Sequence, residues 1–279
     1  MGRVETEMLE SELPPAQPRA QGAMVLSVKP GPRATSAIAR LRTSGATKLA
    51  FPDRPGPVEA IVINTSGGLT GGDRFMAEAE AQPGSRLTLT TQAAERAYLS
   101  RSGAARVSTR LRVGEGAAIH WLPQELILFD GANLERSLEV TLAEGAEFLM
   151  VEPVIFGRAA MGETCRDARF LDRVRVTRDA RPVYTDAVRL SGAVDDLLHR
   201  PAVAGGARAM AAALLVAPRA EALLPRVRDL LPATGGASLL APDILALRLV
   251  APDGFELRRS LVPVLECLAD APLPKSWSL

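Results

Sequence analysis

The sequence is poor in the residues that bind metals or form disulfide frameworks, with two cysteines and two histidines among 279 residues. Cys165 and Cys267 lie about a hundred positions apart, which predicts neither a disulfide framework nor a paired-cysteine metal site. Such sparse use of cysteine is typical of a reducing cytoplasm. His120 and His199 are not at metal-ligand spacing either. A tightly bound metal or other cofactor is therefore not expected.

The sequence also lacks an excess of one charge and a long apolar run. The formal net charge is +1, which argues against nucleic acid as a partner because phosphate neutralisation needs surplus Lys or Arg. The longest apolar run, "AMAAALLVA" (209–217), is too short for a membrane span, which needs about 20 residues. An acidic, proline-containing start predicts a disordered tail over 1–23 and no secretory signal. The remainder contains no linker, which predicts one domain over 24–279.

The middle of the chain repeats itself. Three segments align on a glycine: "GSRLTLTTQ" from Gly84, "GAAIHWLPQ" from Gly116 and "GAEFLMVEP" from Gly145, with steps of 32 and 29 residues. Strands with period-two alternation precede the second and third copies, at 106–113 and 137–142. A fixed step with paired strands in each unit predicts stacked β layers, either solenoid-like or as a two-sheet stack. Chance and shared hairpin turns are the alternative explanation.

Other segments complete a mainly β fold with a few helices toward the C-terminus. Further strands are predicted at 24–29, 36–43, 58–64, 168–177, 183–190 and 244–250. Helices are predicted over about 205–231, with a break at Pro218, and over about 254–269. Asp253 is a suitable N-cap for the second helix. Its predicted apolar face consists of Phe255, Val262, Leu265 and Leu268.

The stretch "INTSGGLTGGDR" (63–74) contains four glycines in six positions: Gly67, Gly68, Gly71 and Gly72. It matches none of the common catalytic loops, because no Lys follows as in a nucleotide-binding P-loop and the spacing differs from GxGxxG. Ser66 precedes the glycines, which excludes a nucleophile elbow. Doubled glycines permit positive φ or close backbone approach. We expect Asp73 to accept hydrogen bonds from nearby amides and Arg74 to pair with a carboxylate.

This loop also resembles a signature of the urease accessory protein UreD family, also called UreH, in which Asn64 leads into the paired glycines and Asp73. Three later segments resemble that family in the same order: "TTQAAERAYLS" (90–100), "WLPQELILFDGANL" (121–134) and "GRAAMGE" (157–163). The C-terminal "LRRSLVPVLECLADAPLPKSWSL" resembles the family's last helix and its Trp-containing end. The resemblance spans roughly 36 to 279.

The resemblance implies a non-enzymatic scaffold and chaperone in the maturation of urease, whose active site holds two nickel ions. The implied partners are apo-urease, the helical protein UreF and, through UreF, the GTPase UreG, in a heteromeric complex. The loop residues Asn64, Gly67, Gly68, Gly71, Gly72 and Arg74 are expected to be structural and to face a partner. The apolar faces of the C-terminal helices are expected to contribute to the surface for the helical partner.

Carboxylates are the remaining candidates for contact with a transient nickel ion, since oxygen ligands can guide a hydrated dication and release it. Six lie in or near the matching segments, at or near predicted strand ends: Asp73, Glu95, Glu125, Asp130, Glu152 and Glu163. For each one, a surface position or a pairing with arginine is the simpler interpretation. A hydrolase that uses two carboxylates as acid and base is the alternative function. A purely structural interaction module is the third.

Overall fold

The computed structural model describes residues 18–53, 56–158, 161–269 and 271–278. Most of the predicted tail (1–23) lies outside these residues, but the first strand begins at Gln21, three residues earlier than the sequence predicts. No helix in these described ranges is long and apolar enough to cross a membrane.

Seventeen strands are present in the described part of the chain. In order they are β1 (Gln21–Pro30), β2 (Ser36–Gly45), β3 (Thr47–Ala50), β4 (Val58–Asn64), β5 (Arg74–Ala81), β6 (Arg86–Thr91), β7 (Glu95–Ala97), β8 (Ala105–Val113), β9 (Ala118–Leu122), β10 (Leu126–Leu128), β11 (Asn133–Leu142), β12 (Glu147–Phe156), β13 (Ala168–Arg178), β14 (Arg181–Gly192), β15 (Ala209–Val216), β16 (Gly235–Ala241) and β17 (Ile244–Ala251). The α-helices are α1 (Val194–His199), α2 (Ala220–Leu230) and α3 (Gly254–Ala269). All six additional predicted strands are confirmed.

The strands form two sheets that pack face to face. The seven-stranded sheet has the order β14-β13-β11-β8-β5-β1-β2. The ten-stranded sheet has the order β16-β17-β15-β12-β9-β6-β4-β3, with β10 beside β12 and β7 beside β10. Helices α2 and α3 cover the outer face of the ten-stranded sheet. The fold is thus mainly β, in stacked layers with solenoid-like character, as the sequence predicts.

The thirty-residue repeat corresponds to successive coils that stack in parallel. In each coil a strand of the seven-stranded sheet (β5, β8 or β11) turns into a strand of the ten-stranded sheet (β6, β9 or β12). Gly84, Gly116 and Gly145 occupy the equivalent turns, with φ of 73°, 59° and 64°. The left-handed conformation that these turns require favours glycine. The predicted equivalence of the three turns is confirmed.

The strand register places residues that align in the three repeat copies opposite one another. Leu87 lies opposite Ile119, and Ile119 lies opposite Phe148. All three side chains are buried in the core between the sheets. Burying a side chain of this size stabilises a fold by about 1.5–3 kcal/mol, so the stacked apolar columns are a principal source of stability. The in-register columns explain why the chain repeats apolar residues at a fixed step.

The predicted helix over 205–231 is wrong in its first half. Residues 209–216 form β15, a central strand that pairs with β12 on one side and β17 on the other. Both faces of β15 are covered, by the core between the sheets and by the core under the helices. A continuous apolar run of about eight residues suits such a strand, and pairing on both edges overrides the helix preference of alanine. The second half is α2, which continues through Pro225.

Helix α3 begins where the sequence predicts, with the Glu256 amide donating to Asp253 Oδ1 at 2.9 Å. Its buried face differs from the prediction, because Phe255 is 73% exposed. The buried side chains are Leu257, Leu261, Val264, Leu265, Leu268 and Ala269. Leu261 and Leu265 pack in the core beneath the helices. This face of α3 is therefore core packing, and the expectation that it meets a helical partner is wrong.

Candidate functional site

A cavity of about 260 Å³ lies between the two sheets. Inward side chains of β5, β8 and β11 line one side, and those of β4, β9 and β12 line the other. The glycine loop and the segment around β7 lie at its edge. Its charged lining side chains are Glu95, Arg96, Arg136 and Glu152. A few polar groups in an otherwise apolar cavity are typical of a binding site.

The glycine loop packs against the segment around β7. The Leu69 amide donates to Arg96 O at 2.7 Å, and the Tyr98 amide donates to Leu69 O at 2.8 Å. A Cβ on Gly68 would lie 2.3 Å from the Tyr98 ring. The first glycine pair thus permits close approach of two backbone segments, while Gly67 (φ 78°) and Gly72 (φ 89°) supply left-handed turns. The loop is held by its own chain, as expected for a structural element.

The side chain of Asp73, at the end of this loop, is buried and binds the surrounding backbone. Its Oδ1 accepts from the Ala20 amide and its Oδ2 from the Thr70 amide, both at 2.8 Å. Both oxygens are used in shaping the backbone, so Asp73 fulfils the predicted amide-accepting role. Arg74 is exposed, and no carboxylate in the described residues pairs with its side chain, contrary to the expected ion pair.

Gly71 is the glycine of this loop where an added methyl group would make the closest contact. A Cβ there would lie 1.9 Å from Ser100 Oγ and 2.3 Å from the backbone oxygen of Ser102. We expect Gly71→Ala to lower the free energy of unfolding by about 1–3 kcal/mol, since the backbone must shift, as measured by urea denaturation. Gly236→Ala is the control, because a Cβ there meets nothing within 4 Å. Equal stability of the two variants would contradict the packing role of Gly71.

Glu95 lies at the cavity beside the last residue of β4. Its Oε2 accepts from Asn64 Nδ2 at 3.1 Å, and its Oε1 accepts from the Arg96 amide at 3.1 Å. Asn64 Nδ2 also donates to Gly68 O at 3.1 Å. Burial raises the pKa of Glu95 above its ordinary value, against the lowering effect of these hydrogen bonds. Asn64 therefore connects the glycine loop to a cavity carboxylate.

Glu152, which also lines the cavity, belongs to a buried charged cluster. Its Oε1 accepts from Trp121 Nε1 at 2.7 Å. Its Oε2 lies 2.6 Å from Arg136 Nη1 but forms no well-aligned hydrogen bond. Arg136 also holds Asp172 through two hydrogen bonds, of 3.0 and 2.6 Å. Two carboxylates thus share one guanidinium, and the cluster carries one excess negative charge when both are ionised.

The excess charge is reflected in the proton affinity of Glu152. Burial, the largest effect, and the nearby Asp172 charge together raise the pKa of Glu152 to about 7, although Arg136 and Trp121 lower it. A buried carboxylate of this kind exchanges a proton near neutral pH.

Glu125 does not serve the cavity directly. Its Oε1 accepts from Arg258 Nη1 at 2.8 Å, and Arg258 also donates to Gln124 Oε1 and to Ser276 O. The Trp277 indole donates to Leu122 O at 3.0 Å and lies beneath the Arg258 guanidinium. Glu125 therefore anchors α3 and the C-terminal segment to the ten-stranded sheet.

Asp130 and Glu163 lie near Cys165, away from the cavity. Asp130 Oδ1 accepts from the Arg166 and Asp167 amides at 2.7 and 2.9 Å. Partial burial would raise the pKa of Asp130, but these amides and the Arg166 guanidinium outweigh it, so the pKa is lowered. Glu163 forms two hydrogen bonds with Arg158, at 2.8 and 3.0 Å. Burial raises the pKa of the Cys165 thiol to about 12, so this cysteine is an unreactive core residue.

The two histidines lie apart. His120 lines a second cavity, on the outer side of the ten-stranded sheet beside Arg219. Burial and the charges of Arg219 and Arg86 lower its pKa to about 4, so its ring is neutral at pH 7. His199 is exposed at the end of α1, with Nδ1 2.8 Å from Asp195 O. In the described residues, no three His, Cys, Asp or Glu side chains are grouped to hold a metal ion.

All six predicted carboxylates have polar partners within the chain. Two of them, Glu95 and Glu152, line one cavity, whereas the other four lie outside it. The sequence interpretation missed Arg136 and Asp172, which set the charge of this cavity. The repeat contains the signal that identifies such neighbours. Trp121 and Glu152 are 31 positions apart, as are Asn64 and Glu95. In stacked coils with a step of about thirty, residues at this separation lie side by side.

Comparison with known proteins identifies the family. The model of the UreD urease accessory protein family matches residues 20–278. A urease accessory protein UreD of Roseobacter denitrificans is 49% identical over 273 residues, covering 98% of this chain and all of the relative. The UreD of Ruegeria pomeroyi is 48% identical over 88% of this chain and 96% of its own length. That of Agrobacterium fabrum is 42% identical over 97% of this chain and 95% of its own length. The chain belongs to the UreD family of urease accessory proteins.

Proposed function

We propose that this chain is a non-enzymatic scaffold for maturation of the urease nickel centre and that nickel passes through the cavity between its sheets. The family supports the accessory role. The observation that carries the route is the convergence of Glu95 and Glu152 on one cavity between the sheets. In this proposal nickel is cargo, and the carboxylates guide it without storing it.

The size and chemistry of the cavity suit a hydrated dication. A six-coordinate hydrated ion has the volume of about six waters, or about 180 Å³ at roughly 30 Å³ for each water. The cavity of about 260 Å³ accommodates it. Oxygen ligands at two separated positions bind a hydrated cation more weakly than a closed set of four to six ligands. Weak contacts favour transfer over retention.

We further propose apo-urease, UreF and, through UreF, UreG as partners in a cytoplasmic complex. The glycine loop is the proposed partner-facing element. Support comes from the exposure of the loop and of the adjoining segment: Thr65 and Ser66 are exposed, and the neighbouring Tyr98 and Leu99 are 37% and 56% exposed. Contiguous exposed apolar side chains are typical of an interaction site.

The route is tested by neutralising the two cavity carboxylates. We expect Glu95→Gln and Glu152→Gln together to lower the fraction of urease activated at limiting nickel by about threefold or more, equivalent to about 0.7 kcal/mol or more in transfer. Each single change should have a smaller effect, because a hydrated ion can bypass one weak contact. Urease activity is measured after reconstitution with purified partners and a titrated nickel supply.

Asp130→Asn with Glu163→Gln is the matched control, since it also removes two carboxylates but lies outside the cavity. This control should activate urease as the wild type does. Thermal unfolding and co-purification with the partners establish that both double variants are folded and assembled. Normal activation by the cavity variant would exclude the route and leave a structural interaction module. Hydrolysis of a small substrate by the isolated wild type, lost in the same variant, would instead favour the carboxylate-based hydrolase.

A further inference from the structure

The outer face of the seven-stranded sheet carries an unequal distribution of charge. Outward positions, assigned from strand register and exposure, hold ten arginines and four glutamates, although the whole chain has a net charge of only +1. The arginines are Arg40, Arg42, Arg74, Arg106, Arg110, Arg112, Arg169, Arg173, Arg175 and Arg189. The glutamates are Glu78, Glu80, Glu135 and Glu139.

In the middle of this face the charges are largely paired. Arg106 Nε lies 3.0 Å from Glu135 Oε2. Arg110 lies 3.5 Å from Glu78 and 3.4 Å from Glu139. These pairs join neighbouring strands in register, so β5, β8 and β11 present a charge ladder in which the signs alternate. Such a ladder has little attraction for a charged partner.

At the edge formed by β13 and β14 the arginines are unpaired. We name Arg169, Arg173, Arg175 and Arg189 the arginine patch. All four are exposed, and none forms an ion pair within the described ranges. The outward positions of these two strands include no carboxylate. Glu139, the residue in register with Arg175, is already engaged by Arg110.

The spacing of the arginine patch defines what it can bind. Arg173 and Arg175 are two residues apart on one strand, which separates them by about 6.6 Å, and Arg169 lies about 13 Å further along. Arg189 lies beside this row on the adjacent strand, opposite Leu171. Carboxylates at alternate positions of an extended segment, or four residues apart on a helix, have similar spacing. Guanidinium groups bind carboxylates through paired hydrogen bonds.

We propose that the arginine patch docks an acidic surface of a partner protein, one that presents carboxylates about 7 Å apart. Nucleic acid fits less well, because its phosphates need neutralisation along a longer track. Such docking lies beyond the proposed function, since it concerns a different surface of the protein. It does not require the partner to be urease.

The test uses a 20-residue peptide with glutamate at alternate positions as the probe, with binding followed by fluorescence anisotropy on the full chain. Arg173→Gln with Arg175→Gln should weaken binding at least about tenfold, and the loss should shrink as salt screens the contact. Arg40→Gln with Arg42→Gln removes the same charge from the same face, at its opposite edge on β2. This control should change the affinity less than about threefold, because it leaves the arginine patch and the paired carboxylates beside it intact.

Several results would overturn the proposal. Equal loss in both double variants would show that net charge, and not the patch, binds the peptide. Tighter binding of a 20-nucleotide single strand than of the peptide would identify nucleic acid as the ligand. Tighter peptide binding after deletion of residues 2–17, which contain four glutamates, would identify this segment as the occupant. Dimers lost in the patch variant would identify a second copy. None of these measurements uses urease. The peptide-binding result can therefore be interpreted even if the proposed nickel route is excluded.

Discussion

Leu265→Asp is expected to abolish folding. Leu265 is completely buried beneath α3, in the core that the helices form with the ten-stranded sheet. The change removes a buried apolar side chain and places a carboxylate where no partner is available, a combination that costs more than about 4–5 kcal/mol. This is comparable to the whole stability of many domains, about 5–15 kcal/mol. Soluble yield and the circular dichroism of the purified variant measure the outcome.

Phe255→Asp is the matched control on the same helix. Phe255 is 73% exposed, and an exposed substitution changes the free energy of unfolding by about 0.5 kcal/mol or less. The control should therefore fold as the wild type does. A folded Leu265→Asp variant that fails to bind a partner would contradict the assignment of Leu265 to the core and restore the α3 face as a docking surface.

The repeat is the part of the fold that the sequence predicts best. Parallel stacking brings Leu87, Ile119 and Phe148 into one column, so the same apolar pattern recurs at each step. The predicted strands at 58–64 and 168–177 follow from local alternation that the sheets preserve. Local pattern and tertiary environment agree at these positions, which is why the prediction succeeds.

The prediction fails where tertiary contacts oppose local preference. Residues 209–216 are rich in alanine and leucine, which favour helix in isolation. Strand pairing on both sides makes them a central strand instead. The buried face of α3 is also predicted only in part. Apolar periodicity assigns Phe255 to that face, but the side chain is exposed to solvent.

The charged cluster could be predicted only in part. Glu152 stands out in the sequence as a carboxylate in an apolar strand, but its partners Arg136 and Asp172 come from other strands. Arg136 and Asp172 are 36 positions apart. This separation exceeds the coil step of about thirty, so the repeat does not suggest them as neighbours, and only the strand register brings them together. Asn64 and Glu95, by contrast, are 31 positions apart, as the coil step suggests.

The buried cluster leads to a prediction about stability and pH. The pKa of Glu152 is about 7 in the folded protein and about 4.5 when unfolded. Between these values the folded state binds more protons than the unfolded state, so stability falls as pH rises. The contribution is fully present below about pH 4.5 and is lost as pH passes through about 7. The difference between the two pKa values corresponds to a total loss on the order of 3 kcal/mol.

Glu152→Gln should remove this dependence. Glutamine keeps an acceptor for Trp121 and leaves Arg136 paired with Asp172 alone, which is a neutral pair. Between pH 5 and pH 8 the wild type should lose on the order of 2–3 kcal/mol more stability than the variant. Urea denaturation at several pH values measures both proteins, and their difference cancels the contributions of other groups such as His120.

Glu163→Gln serves as the control for charge removal, because Glu163 forms its ion pair with Arg158 outside the buried cluster. This variant should follow the pH dependence of the wild type. Asp172→Asn should flatten the dependence partly, since removing the Asp172 charge lowers the pKa of Glu152 toward its ordinary value. Parallel stability curves for the wild type and Glu152→Gln would mean that Glu152 is already ionised at pH 5, and that Arg136 compensates both carboxylates in the folded protein.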